Sequence, residues 1–76
     1  MQIANATLDA RGLNCPLPIL KTKKELTSLT AGETLMMLSS DPGSVKDIES
    51  FCLQTGNELL ESAASDNEFS FLIRKV

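Results

Sequence analysis

Cys15 stands directly before Pro16, Leu17 and Pro18, and this spacing is the strongest chemical feature of the chain. Two prolines two residues apart break the interior of a helix. They suit its first turn, where the N–H groups have no intrahelical partner. The pattern therefore predicts a helix that opens at Pro16 with Cys15 as its N-cap, because Pro16 also drives the residue before it into extended backbone. A thiol in that place sits at the positive end of the helix dipole, which stabilises the thiolate, the nucleophilic form. The prolines remove two competing donors and leave the Leu17 N–H as the natural donor to sulfur, so the expected fall in pKa is modest. A moderate pKa suits a sulfur that must both attack and leave, since nucleophilicity falls as pKa falls.

The other residue types narrow the chemistry further. The chain has no histidine, which removes imidazole as base, nucleophile or metal ligand. Its two cysteines, Cys15 and Cys52, are far apart and form no Cys-x-x-Cys, so neither a zinc site nor a dithiol redox pair is supported. Val45, Ile48 and Cys52 fall at helical spacing on one apolar stripe, which reads Cys52 as buried and inert. The net charge of −3 argues against non-specific nucleic-acid binding. It is unevenly spread: Arg11, Lys21, Lys23 and Lys24 face only Asp9 in the first part of the chain, and Lys46 is the sole base between residues 25 and 73. The cysteine side is the basic side.

The elements that must position Cys15 follow from periodicity and turn residues. Ala6 to Ala10 alternates as a strand, and Gly12 and Asn14 mark a turn. The first helix runs from Pro16 to about Leu29. At about 100° per residue it places Ile19, Thr22, Lys23, Leu26 and Leu29 on one side, with Leu20 at the edge, and Leu17, Lys21, Lys24 and Ser28 on the other. Lys23 would lie along the buried side with its head reaching out. Leu17 would then point outward beside the cysteine, with two lysines behind it, as a small apolar and basic docking patch.

Thr34 to Ser39 is a second, interior strand, and a turn at Asp41-Pro42-Gly43-Ser44 leads to a second helix from about Val45 to Thr55. Ser44 and Asp47 have weak capping-box spacing, and Gly56 stands where a helix end wants a left-handed residue. Glu58 to Ala64 is a third strand, Ser65-Asp66-Asn67 a hairpin turn, and Glu68 to Lys75 a fourth strand. There Phe69, Phe71 and Ile73 alternate with Ser70, Leu72 and Arg74 and define one core face. The order βαβαββ predicts an α+β two-layer sandwich: a mixed four-stranded sheet with two helices on one face. A chain of 76 residues is one small domain, 1–76, with little room for a deep cleft. No apolar run approaches the roughly 18 residues of a membrane span, and no signal-peptide pattern opens the chain, so the expected compartment is the cytoplasm.

The segment Leu8-Asp9-Ala10-Arg11-Gly12-Leu13-Asn14-Cys15-Pro16-Leu17-Pro18 resembles the strand, glycine turn and Cys-Pro-x-Pro signature of the TusA (SirA-like) sulfur carriers. Weaker matches at Gly32-Glu33, Asp41-Pro42, Asp47-Ile48, Phe51-Cys52 and Leu72-Ile73-Arg74-Lys75 extend the resemblance from Leu8 to Lys75. It implies a sandwich similar to the C-terminal domain of translation initiation factor three. It also implies that Cys15 receives sulfane sulfur from a cysteine desulfurase or rhodanese-like donor and hands it to a downstream protein thiol. The pathways so served in the family are transfer-RNA thiolation, sulfur oxidation and cofactor sulfuration. Members serving transfer-RNA thiolation often carry an acidic residue between the two prolines, where this chain has Leu17. Asp9, Arg11, Gly12, Pro16 and Pro18 match the motif as site-shaping residues, with Asp9 and Arg11 either pairing structurally or shaping the site.

The expected activity is a persulfide relay by a monomer, with no metal and no organic cofactor. An alternative is a non-catalytic interaction or regulatory module that uses the Leu17, Lys21 and Lys24 surface and keeps Cys15 only as a cap. A third reading, direct RNA binding, is opposed by the acidic balance and the lack of Trp and Tyr.

Overall fold

The computed structural model describes residues 4–14 and 17–76. Four strands and two helices follow the expected order: β1 (Ala6–Ala10), α1 (Leu17–Thr27), β2 (Thr34–Ser39), α2 (Ser44–Thr55), β3 (Glu58–Ser65) and β4 (Glu68–Arg74). The strands form one sheet in the order β1-β2-β4-β3. β1 runs parallel to β2, as a helical crossover demands, with Leu8 opposite Met37. β4 is antiparallel to both β2 and β3. β2 is interior, in line with its run of apolar residues. The connection through α2 carries the chain past β4 to the far edge, so the sheet grows in one direction. Right-handed crossovers then place both helices on one face.

That face holds the core. Leu35 and Met37 from β2, Phe71 and Ile73 from β4, Leu26 from α1, and Ile48 and Cys52 from α2 are buried in one cluster. Alternation along the strands selects them: Leu35 pairs with Ile73 and Met37 with Phe71. Burying each large side chain contributes about 1.5–3 kcal/mol, so this cluster is the main source of stability.

Turn chemistry agrees with the backbone. Asp66 and Asn67 both have positive φ, 51° and 63°, the requirement of a tight two-residue hairpin. The turn is thus shorter than expected, and β3 extends one residue further, to Ser65. Gly56 ends α2 with φ 81°, its N–H donating to the Cys52 carbonyl.

Several expectations need correction. The Ser44–Asp47 capping box does not form. Gly43 is the N-cap of α2 and makes no side-chain cap. Ser44 is instead the buried first residue of the helix, and its hydroxyl donates to the Asp41 carbonyl at 2.6 Å. On α1 the buried stripe is Pro18, Thr22 and Leu26, so Pro18 is an unforeseen core contact. The Thr22 hydroxyl donates to the Pro18 carbonyl at 2.8 Å, which satisfies it inside. Lys23 is exposed and borders a cleft with Leu26, Phe51 and Thr55, as expected of a side chain whose head reaches out, whereas Leu20 is 55% exposed. A proline ring in the first turn packs inward and sets the rotation of the helix, which the positions of the larger apolar residues alone do not report.

Leu72 departs from the pattern in the other direction. Its partners across the sheet are Met36 and Glu61, on the face without helices, yet it is 1% exposed. The helix-free face therefore buries an apolar residue of its own.

Candidate functional site

β1 and β2 are parallel, so their carboxyl ends lie along one edge of the sheet, and each feeds the N-terminus of a helix there. The Cys15 segment belongs to the first of these connections. Both helices direct the positive ends of their dipoles to this edge, which favours an anion such as a thiolate or a persulfide. Cys15 and Pro16, including the expected N-cap role, lie outside the described residues.

The residues on either side of them are well defined. Ala10 is fully buried at the end of β1. The Leu13 N–H donates to the Ala10 carbonyl at 3.3 Å, and the Leu17 N–H to the Asn14 carbonyl at 2.9 Å. The second bond joins Asn14 to Leu17 across the Cys15-Pro16 pair. The expected donation from the Leu17 N–H to the Cys15 sulfur lies outside the described residues. Gly12 turns with φ 83°, where a side chain would be strained, and its N–H donates to the Ser40 hydroxyl at 2.8 Å. Ser40 thus ties the β1–α1 connection to the β2–α2 connection.

Asp9 and Arg11 pair with each other. The Arg11 Nε and Nη2 groups both donate to the Asp9 carboxylate at 2.9 Å, and the Arg11 backbone N–H adds a bond at 3.1 Å. These bonds, the side-chain ones foremost, hold the Asp9 carboxyl down to about 2 and raise the Arg11 guanidinium. Arg11 Nη1 also reaches the Glu68 carboxylate at 3.4 Å. One guanidinium therefore spans from the end of β1 to the start of β4, across the end of β2. Ser40 and Glu68 were not found by sequence reasoning, since nothing in a lone serine or a hairpin glutamate marks a contact that is 28 or 57 residues away.

Leu17, 46% exposed, and Leu20, 55% exposed, stand on the outer side of α1 with the exposed Lys21 and Lys24. The outward placement of Leu17, Lys21 and Lys24 expected from helical angles is observed, and Leu20 is exposed with them. Cys52 is 4% exposed in the core, and burial pushes its thiol up. Pro18 is buried in the first turn of α1. No group of three or more His, Cys, Asp or Glu side chains suited to a metal occurs among the described residues.

A parallel β1–β2 edge, two helix N-termini directed to it and a Gly turn ahead of the Cys15 segment define a small α+β domain whose β1–α1 connection carries the Cys-Pro-x-Pro sequence. The family model for sulfurtransferase TusA matches residues 6–75, and the chain belongs to that family. It is 56% identical over 68 residues to the sulfur carrier protein TusA of Allochromatium vinosum, covering 90% of each chain. It is 41% identical over 73 residues to TusA of Pseudomonas entomophila, covering 96% of this chain and 91% of that one. The crystal structure of a SirA-like protein from Desulfitobacterium hafniense superposes with a TM-score of 0.81 at 27% identity, covering 91% of this chain and 95% of that one. The expected family and fold are thereby established. No helix of the described residues is long and apolar enough to cross a membrane.

Proposed function

We propose that the protein carries one sulfane sulfur as a persulfide on Cys15, accepting it from a cysteine desulfurase or rhodanese-like donor and passing it to a downstream protein thiol. The observation that carries this reading is the placement of Cys52. Of the two sulfurs able to take part, Cys52 is shut in the core with a raised pKa, so the exchange falls to Cys15.

The Cys15 thiolate attacks the outer sulfur of the donor persulfide. A new S–S bond forms to Cys15, the donor S–S bond breaks, and the donor leaves as a thiolate with the electron pair. One persulfide is consumed and one is made, so there is no net oxidation and the proton stays on the terminal sulfur. The acceptor thiolate repeats the displacement on Cys15, as in thiol–disulfide exchange. The step is complete in its own atoms and needs neither metal nor organic cofactor, and a monomer suffices. Leu17, Lys21 and Lys24 form the patch on which an acidic partner docks. Asp9, Arg11, Gly12 and Pro18 hold the segment in shape.

The test is an intact mass after incubation with a cysteine desulfurase and cysteine, without reductant. One added sulfur on the parent and on Cys52→Ser, and none on Cys15→Ser, is the expected result. Loading that persists in Cys15→Ser would remove Cys15 as the site.

A further inference from the structure

The helix-free face of the sheet has its own organisation. Strand register places Asp9, Leu38, Ser70 and Ala63 in one row across the four strands, and Thr7, Met36, Leu72 and Glu61 in the next. Leu38 and Met36 are half-buried, Leu72 is buried and Ala63 is exposed, so the middle of the face is apolar. Beside Leu38 and Ser70, against the β3–β4 turn, lies a shallow cleft of about 210 Å³.

The rim of this face is acidic. Asp9, Glu58, Glu61, Asp66 and Glu68 stand around it against two bases, Arg11 and Arg74. Both bases are already in ion pairs, Arg11 with Asp9 and Glu68, and Arg74 with Glu58. The outer side of α1, with Lys21, Lys23 and Lys24 beside one acid, Glu25, has the opposite sign. The molecule therefore has two faces of opposite charge. Arg11, in the same connection as Cys15, joins the acidic face to the transfer edge.

We propose that the helix-free face is a second docking surface, for a segment of a partner protein that is apolar and carries Lys or Arg. The proposal rests on the carrier reading in supposing that sulfur arrives from one partner and leaves with another. The two faces let those partners approach the transfer edge from opposite sides. An apolar centre with a charged rim is the anatomy of a protein interface, and the unbalanced carboxylates select a cationic occupant. A second copy does not fit, because a two-fold contact would set acidic rim against acidic rim. The same carboxylates repel nucleic acid.

The test uses the full 15N-labelled protein and two peptides, Ac-Lys-Leu-Val-Lys-NH2 and Ac-Glu-Leu-Val-Glu-NH2, followed by amide chemical shifts. The lysine peptide is expected to move the amides of Leu38, Ala63, Ser70 and Leu72, with an affinity that falls as salt rises. Glu61→Lys is expected to weaken this binding about five-fold, and Ala63→Lys serves as an independent second variant. An equal response to both peptides, lysine-peptide shifts confined to α1, or shifts of these amides with protein concentration alone would overturn the proposal. The peptides carry no sulfur, so this outcome is independent of whether Cys15 loads.

Discussion

The two cysteines share a side chain, and the structure describes the surroundings of Cys52. Cys52 lies at 4% exposure on the inner stripe of α2, where burial favours the neutral thiol. Iodoacetamide at neutral pH is therefore expected to modify one thiol of the native chain, at Cys15, with the second reacting only in denaturant; mass spectrometry of peptides reads both. Modification of Cys52 in the native protein would contradict its burial. Asp9 makes a second residue-level prediction. Its carboxyl is held from 3.8 to about 2 by the bonds from Arg11. A lowered carboxyl pKa favours the folded state above the unfolded pKa, and that contribution is lost as pH falls through the folded value. The window is therefore about pH 4 to 2, and neutral pH lies on its stable side. Carboxyl 13C shifts should show a midpoint near 2; a midpoint near 3.8 would mean that the pair does not persist in solution. Asp9 and Arg11 were legible as motif residues. Their partner Glu68 was not, because the ion pair exists only once β4 lies beside β2.

At the scale of elements, local chemistry predicted the ends better than the faces. Gly56 was legible as a helix terminator, and its φ of 81° bears that out. Gly56→Ala is expected to cost ~1–2 kcal/mol, because a Cβ is strained in the left-handed region. The measurement is a lower urea midpoint at unchanged slope; an unchanged midpoint would show that the turn relaxes freely. The N-terminus of α2 was read less well. Ser44 and Asp47 have the spacing of a capping box, but Asp41 organises the turn instead: its carboxylate accepts the Gly43 N–H at 3.0 Å and its carbonyl the Ser44 hydroxyl. The Asp41 carbonyl takes the Ser44 N–H that a capping box would give to Asp47, and Ser44 is buried at the start of α2. The rotation of α1 was similarly underdetermined. The expected side of Ile19, Thr22, Lys23, Leu26 and Leu29 is shifted by a fraction of a turn: Thr22 and Leu26 are buried and Ile19 and Leu29 pack against the core, and Pro18 joins them inside.

For the whole molecule, a thin core makes single contacts expensive. Phe71 is fully buried at the centre of the sheet, opposite Met37. Phe71→Ala is expected to cost ~3–5 kcal/mol, a large part of the roughly 5 kcal/mol at the low end for natural domains. Loss of the cooperative thermal transition, followed by circular dichroism, would show it; a near-parent transition would mean that the core repacks around the gap. The small size also suits the function proposed. A chain this small leaves recognition of partners to its outer surfaces, the basic side of α1 and the acidic helix-free face.

The order of elements, the alternating core of β2 and β4 and the hairpin turn were all determined by local sequence. Each depends on side-chain period or on the local backbone preference of turn residues such as Asp66, Asn67 and Gly56. Tertiary structure decided the rest. It brought Ser40 to Gly12 and Glu68 to Arg11, turned Pro18 inward, and buried Leu72 on the face opposite the core. These contacts join residues far apart in the chain, and their energies depend on which strands become neighbours. Periodicity along one strand shows that two faces exist; only the assembled sheet shows what each face touches.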